Sequence, residues 1–384
     1  MPVEALSTQT RPSAKNSVWI EVRPEAIQRN LERLREKIRP FTRVMAVVKA
    51  NAYGHGLVPI AQALQGKVDF LGIGSLKEAS ILREHGVLAP LFLFGRLFRD
   101  EIPIALQMNL TVTVSSFEEA RDISEFSAQY LKKEKARLHI KVDTGMGRLG
   151  VPLREALSEI EKIAALPGLQ LDGIYTHFPT AEQFPDSFTQ KQLSDFEQLV
   201  EDLRRKGISF VFRHAANSAG ALRFRSTSLN LVRPGIVLYG VHPHPSLEAE
   251  IDLEPGLSLK TRVAFVKQIQ AGESVGYGRE FVAEAPTTIA VLPIGYAHGY
   301  PFHLSRKGEV LMGGRRFPLA GRICMDALMV DLGSSSGVQV GEEAVLLGNS
   351  GEERISATQL ASLAGTIPYE IMTRLDPSLP RLYL

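Results

Sequence analysis

Lys49 ends the apolar part of AVVKANAYGHG, residues 46–56, a stretch that otherwise reads as a buried strand. An unpaired ammonium in a strand interior loses its hydration and tends to give up its proton instead. Lys49 therefore either meets a carboxylate or is meant to be neutral, and no carboxylate adjoins it in sequence. A neutral amine in that place can attack a carbonyl and form a Schiff base, although a lone lysine more often snorkels or pairs. Asn51, Tyr53 and His55 follow, with Gly54 and Gly56 allowing backbone to approach a ligand closely.

Further polar residues stand at comparable places: Lys141 with Arg148 in HIKVDTGMGRLG, His177 in IYTHF, Ser218 in HAANSAG and Arg233 in LVRPGIVLYG. Ser218 opens a short helical segment after a strand. Its hydroxyl and neighbouring N–H groups, with backbone donors from Gly235 and Ile236, could hold a phosphate, though Asn-Ser is also a routine helix cap. Arg233 sits in an apolar strand, where a guanidinium requires a planar acceptor or a carboxylate. Structural ion pairing is the alternative for it. Each of these residues, taken singly, also reads as an ordinary strand-terminal polar group.

The elements that would bring them together are eight short apolar runs: 44–49, 69–74, 91–95, 111–116, 137–143, 171–178, 210–215 and 231–240. Continuous rather than alternating apolarity marks parallel strands covered on both faces. Helical patterns lie between them, notably at 24–38, 153–165 and 188–206, and Ser75 with Glu78 and Ser116 with Glu119 form capping boxes at strand-to-helix turns. Strand–helix alternation with eight strands predicts an α/β fold, an N-terminal (β/α)8 TIM-type barrel, whose reactive groups gather at the carboxyl ends of the strands. After about residue 250 the segments LSLKTRVAFVKQIQ, TTIAVLPIGY, EVLMGGRRFPLAG, DALMVDLG and EEAVLLG predict a C-terminal mostly β domain. The expected division is a flexible tail at 1–16, the barrel at 17–250 and the β domain at 251–384, with the strand at 17–22 pairing into the latter.

The chain has 384 residues, 44% hydrophobic and 22% charged, with a formal net charge of +2. That balance gives no reason to expect nucleic acid or membrane as partner and favours a small-molecule substrate. A single cysteine, Cys324, excludes an intrachain disulfide and suits a reducing, cytoplasmic home; it reads as a packed, inert residue. No metal-ligand spacing is present.

The motifs VVKANAYGHG, VDTGMGRLG, THF, NSAG, VRPGIVLYG, VGYG, LPIGYAHGYP, GRICMD and TIPYE resemble, in order and over nearly the whole chain from residue 17, those of the alanine racemase family, fold-type III pyridoxal 5'-phosphate enzymes. The resemblance implies that Lys49 carries the cofactor and exchanges the α-proton of alanine on one face, while Tyr277, reaching in from the partner subunit of a homodimer, serves the other. It assigns Tyr53, Ser218, Gly235, Ile236 and Tyr369 to the phosphate, and Arg233, supported by His177, to the pyridine nitrogen. Arg148 would hold the substrate carboxylate, Lys141 is a position open to carbamylation, and Met325, Asp326 and Tyr296 would lie at the substrate entrance. An arginine facing the ring nitrogen, always a donor, leaves that nitrogen unprotonated and disfavours transamination. The implied role is supply of D-alanine for peptidoglycan.

Three residues depart from the family pattern: His298 where aspartate is common, Pro179 where alanine is usual and Glu280 in place of threonine. They bear on entrance electrostatics more than on reaction class. The alternatives are a decarboxylase of the same architecture, a non-catalytic pyridoxal-phosphate carrier and a cofactor-free barrel aldolase. A decarboxylase would want a carboxylate where Arg233 stands, a carrier would lack the β domain, and an aldolase would leave Tyr369, Ser218 and Gly235 without a shared task.

Overall fold

The computed structural model of the protein describes residues 17–131, 134–183, 186–224, 229–334 and 337–384. The expected tail at 1–16 lies outside them. After a first strand, β1 (Val18–Val22), the chain enters a closed parallel barrel of eight strands. These are β2 (Arg43–Val47), β3 (Phe70–Ile73), β4 (Leu91–Leu93), β5 (Thr111–Val114), β6 (Ala136–Asp143), β7 (Leu169–Tyr175), β8 (Phe212–His214) and β9 (Leu231–Val232). Each pairs with its successor, and β9 returns to β2 through Leu231 against Arg43 and Val232 against Val44.

The apolar runs become strands because both faces are covered. In β2, Val44 and Ala46 join the large core shared with the surrounding helices, whereas Met45 points into the lumen with Phe70, Phe92, Tyr175 and Leu231. Burying a side chain of this size is worth about 1.5–3 kcal/mol, so a one-residue slip would transfer every such contact to the wrong face. The helices include Pro24–Lys37, Leu76–Glu84, Phe117–Tyr130, Leu153–Ala164 and Ser187–Arg205. Their starts follow the expected serine caps with one refinement. Ser75 and Ser116 accept from Glu78 N and Glu119 N, but the glutamate carboxylates reach one residue further back, to Gly74 N and Ser115 N.

The C-terminal region is mostly β. One sheet runs in the order Arg315–Pro318, Glu309–Met312, Glu343–Ser350, Leu257–Arg262, β1 and Arg381–Tyr383; a second joins Phe265–Ile269, Thr287–Leu292 and Leu328–Gly333. Thus β1 leaves the barrel aside and pairs antiparallel with Leu257–Arg262 and parallel with Arg381–Tyr383. The two regions are tied again at the start of the β region, where buried Asn30 donates to the carbonyls of Leu238 and Glu254 and accepts from Glu254 N. Two short helices, Ala357–Ala364 and Pro368–Thr373, interrupt the β texture. Among the described residues, no helix is long and apolar enough to cross a membrane.

Candidate active site

A cavity of about 500 Å³ opens where the carboxyl ends of the barrel strands meet the helix Pro368–Thr373. Lys49 follows β2, Gly74 follows β3, Phe94 and Gly95 follow β4, and Lys141 comes from β6. Tyr175 ends β7 and His177 follows it, Ser218 follows β8, and Arg233 and Gly235 follow β9, with Arg148, Tyr53 and Tyr369 completing the wall. The lining holds four cationic side chains, Lys49, Lys141, Arg148 and Arg233, and no carboxylate.

Lys49 answers the question its position raised. Neither Lys49 nor Lys141 makes an ion pair among the described residues. The nearby carboxylate, Glu78, spends its two oxygens on the backbone N–H groups of Ala50 and Gly74, each at 2.7 Å. The Lys49 pKa is therefore lowered, first by loss of water contact and then by Arg148, against an opposing pull from Glu78. Lys141 is pushed down to about 8 by burial, then by Arg148 and Arg233. Both amines are held nearer neutrality than a free lysine, which favours nucleophilic and basic roles.

The backbone beyond Lys49 is unusual. Ala50, Asn51, Ala52 and Tyr53 all have positive φ, between 50° and 54°, forming one left-handed turn without a glycine. Each such residue costs about 1–2 kcal/mol, so the surroundings must hold the turn in place. It brings Tyr53 onto Tyr239, with ring centroids 4.8 Å apart, and to 6.1 Å from Tyr369. Burial raises the pKa of both Tyr53 and Tyr369, so each remains a phenol able to donate. Gly235 passes so close to Tyr53 that a Cβ there would lie 2.3 Å from the Tyr53 hydroxyl, and its N–H meets Ser218 Oγ at 2.9 Å. A hydroxyl, two phenols and bare backbone beside a ring of cations make a cradle for a small, multiply anionic ligand.

Arg233 is buried, and among the described residues it has no counter-ion. Its Nη2 donates to the carbonyls of Thr176 and Ala215 at 2.8 and 2.9 Å and meets His177 Nδ1 at 3.2 Å, while Nη1 meets His214 Nδ1 at 2.8 Å. Since arginine only donates, His214 accepts on Nδ1, carries its proton on Nε2 and passes that donor to His139 Nδ1 at 2.8 Å. Burial, and then Arg233, holds His139 down to about 3 and His177 and His214 well below their ordinary value. Arg233 itself falls to about 10, first through burial, and stays charged at neutral pH. It is a fixed donor braced by neutral imidazoles, suited to a neutral acceptor such as a heterocyclic nitrogen.

The cavity thus gathers Lys49, Tyr53, Lys141, Arg148, His177, Ser218, Arg233, Gly235 and Tyr369. Ile236 is buried behind Gly235 and does not line it. Tyr277, Tyr296, Met325 and Asp326 do not line it either; all four are exposed on the C-terminal region, Tyr277 to 70%. They share one face, because Tyr296 N and Ala297 N donate to the carbonyls of Cys324 and Met325 and Gly276 packs against Arg322. Glu280 pairs with Arg322 on that face, Nε to Oε1 at 2.6 Å, and His298 Nδ1 accepts from Gly295 N. Cys324 is half-buried, and burial raises its thiol pKa, away from a reactive thiolate. Phe94, Tyr175 and Thr373 in the wall, and His139 and His214 behind it, escape a search for polar strand ends. Tyr175 and the two histidines lie inside runs that read as apolar strands.

Comparison with known proteins places this arrangement in context. The family description "Alanine racemase, N-terminal domain" matches residues 22–243, and "Alanine racemase, C-terminal domain" matches residues 256–383. The chain is 41% identical over 373 residues to the alanine racemase of Desulforamulus reducens, covering 96% of this chain and 100% of that one. Among solved structures, it matches the alanine racemase of Clostridium difficile 630 with a TM-score of 0.91 and 32% identity, covering 97% of each chain. It matches that of Bacillus anthracis with bound L-Ala-P at 0.89 and 35% identity, covering 97% of this chain and 96% of that one.

Proposed function

The chain belongs to the alanine racemase family, and from that premise we propose that it interconverts L- and D-alanine with pyridoxal 5'-phosphate, supplying D-alanine for peptidoglycan. The observation that carries the reading is the Lys49 amine, free of any ion pair, in a strand-end cavity with three further cations and no carboxylate. A cofactor with a phosphate and a substrate with a carboxylate fit that charge balance, and the space beside Gly235, closed to any Cβ by Tyr53, fits the phosphate end. When bound, pyridoxal 5'-phosphate supplies the electron-withdrawing ring that lets an attached amino acid release its α-proton.

The chain's own residues do the rest. Lys49 would hold the cofactor covalently through its amine and, once released by the incoming substrate, take or return the α-proton on one face. Ser218 Oγ, the backbone N–H groups of Gly235 and Ile236, and the phenols of Tyr53 and Tyr369 would hold the phosphate. Arg233, braced by His177 and His214, would donate to the ring nitrogen and keep a proton off it, which steers the proton back to the α-carbon. Arg148 would bind the substrate carboxylate, with Lys141 beside it as an amine or a carbamate.

Tyr277 is exposed on its own chain, so its task as the second base belongs to the cavity of a partner subunit, to which Tyr296, Met325 and Asp326 would travel with it. One base on each side of a planar centre allows reprotonation in either hand. Met325 and the tyrosines would leave room for a methyl side chain there, and one further hydroxyl on the substrate would be rejected only weakly. The deciding experiment is solvent-deuterium exchange on purified, cofactor-loaded protein. Deuterium should enter the α-position of both L- and D-alanine, and no exchange with either enantiomer overturns the reading.

A further inference from the structure

Right-handed backbone is the default for Ala, Asn and Tyr, so the left-handed turn Ala50–Tyr53 exists only because neighbouring groups hold it. Part of the restraint is local. Ala52 N and Gly54 N donate back to the carbonyls of Val48 and Ala50 at 2.8 and 3.1 Å, Asn51 Oδ1 accepts from Leu57 N at 2.8 Å, and Glu78 accepts from Ala50 N at 2.7 Å. His55 Nδ1 lies 3.1 and 3.0 Å from the carbonyls of Ala52 and Tyr53, which makes it their donor.

The remaining restraint comes from the far end of the chain. Arg381 Nε donates to the carbonyl of Gly54 at 2.8 Å, and the Tyr383 hydroxyl donates to the carbonyl of His55 at 3.2 Å. The approach is so close that a Cβ on Gly56 would lie 2.0 Å from the Tyr383 hydroxyl, and one on Gly54 would lie 2.3 Å from the Met372 carbonyl oxygen. Arg381 is itself fixed, with Nη1 donating to the carbonyls of Pro377 and Leu379 at 3.0 and 2.9 Å. Its strand is paired along β1 from Ile20–Arg381 to Val22–Tyr383.

We propose that Arg381 and Tyr383 are positioning residues for Lys49: by bonding the carbonyls of Gly54 and His55 they lock the left-handed turn that aims the lysine amine into the barrel cavity. The proposal rests on the reading that Lys49 anchors the cofactor. It gives the C-terminal strand of each chain a task in its own barrel, separate from the task of Tyr277. Neither residue touches the cavity; both act through four residues of strained backbone. Loss of either bond lets the turn relax toward right-handed backbone, which lowers the fraction of chains able to bind and lets water reach the amine.

The test uses the full chain stripped of cofactor, with pyridoxal 5'-phosphate as probe. Borohydride-trapped attachment at Lys49 is located by peptide mapping and followed against pH, with circular dichroism as the check on folding. Tyr383→Phe should weaken apparent cofactor affinity roughly 5-fold and Arg381→Ala roughly 10-fold or more, as expected for losing a neutral and a charged hydrogen bond. Both should move the pH midpoint of attachment upward, toward that of a free lysine, a shift that a merely scaffolding role would not produce. Arg381→Lys, which keeps the charge but has a single donor atom in place of the guanidinium fork, should fall between wild type and Arg381→Ala. Folded variants with wild-type affinity and midpoint overturn the proposal. Should Arg381→Ala fail to fold, Tyr383→Phe decides, since it keeps the ring and the strand. A wild-type chain that is never trapped at Lys49 overturns the cofactor reading, and this proposal with it; a failure confined to the clamp leaves wild-type trapping intact.

Discussion

The barrel mouth and the outer face of the C-terminal region hold the candidate residues in opposite surroundings. At the mouth, nine of the candidate residues converge on one cavity whose cations have no carboxylate among the lining groups. On the C-terminal face, Tyr277, Tyr296, Met325 and Asp326 stand in solvent, and the charge beside them is satisfied by Glu280 on Arg322. A phenol exposed to 70% is poorly placed to move a proton where it sits. The contrast teaches that the proposed binding half and the proposed delivering half do not meet within one chain, so the proposed activity would belong to a pair of chains.

The largest effect should come from the binding half. Lys49→Ala removes the covalent anchor and one base together and should lower racemisation on the order of 10⁴-fold or more. Loss of borohydride-trapped cofactor checks it; cofactor still trapped elsewhere would break the assignment. Tyr277→Phe should act on one direction, slowing proton removal from L-alanine roughly 10²-fold or more while sparing D-alanine, as read from primary deuterium exchange of each enantiomer. Equal losses would mean that the delivering half does not serve a single face. Mixing the two variants sharpens the comparison further. Random pairing leaves one intact site in half of the dimers, so about a quarter of wild-type activity should return. No recovery despite demonstrated subunit exchange would place Tyr277 and Lys49 in the same chain's site.

The same contrast governs what could be read from the chain in advance. The eight apolar runs each overlap a barrel strand, because a strand covered on both faces must be largely apolar. Polar groups at the ends of those runs could be singled out because a strand end is where such a group meets a cavity. His139 and His214 resisted reading for another reason. His139 sits within β6 and His214 ends β8, and only closure of the barrel brings them to 2.8 Å from each other and links them to Arg233. The left-handed turn was equally hidden: ANAY has no glycine to announce positive φ, and part of its restraint arrives from Glu78 and from residues some 330 positions away. Tyr369 rides on a helix in a region whose texture is β, where only Pro368 at the first helical position marks the start. Local propensity cannot report a conformation imposed by partners distant in sequence.

The smallest predicted effect compares two lysines. Burial alone would lower the pKa of Lys260, at the sheet joining β1 to the C-terminal region, but Glu21 at 2.8 Å and Glu343 at 2.9 Å raise it above its ordinary value. Lys141 at the barrel mouth has no such partners among the described residues and is pushed down to about 8, first by burial and then by Arg148 and Arg233. An unfolded chain returns Lys141 to about 10.4. Between those values the unfolded chain binds the extra proton, so this group makes stability rise with pH across that window and carries its full penalty below it. Lys141→Met should therefore flatten the rise in thermal stability of the cofactor-free protein between about pH 8 and pH 10.4, and should stabilise it at pH 7. If Lys141 is carbamylated in the purified protein, the substitution instead removes an anion lying between two arginines, and destabilisation at pH 7 with no change of slope is the result that separates the two forms.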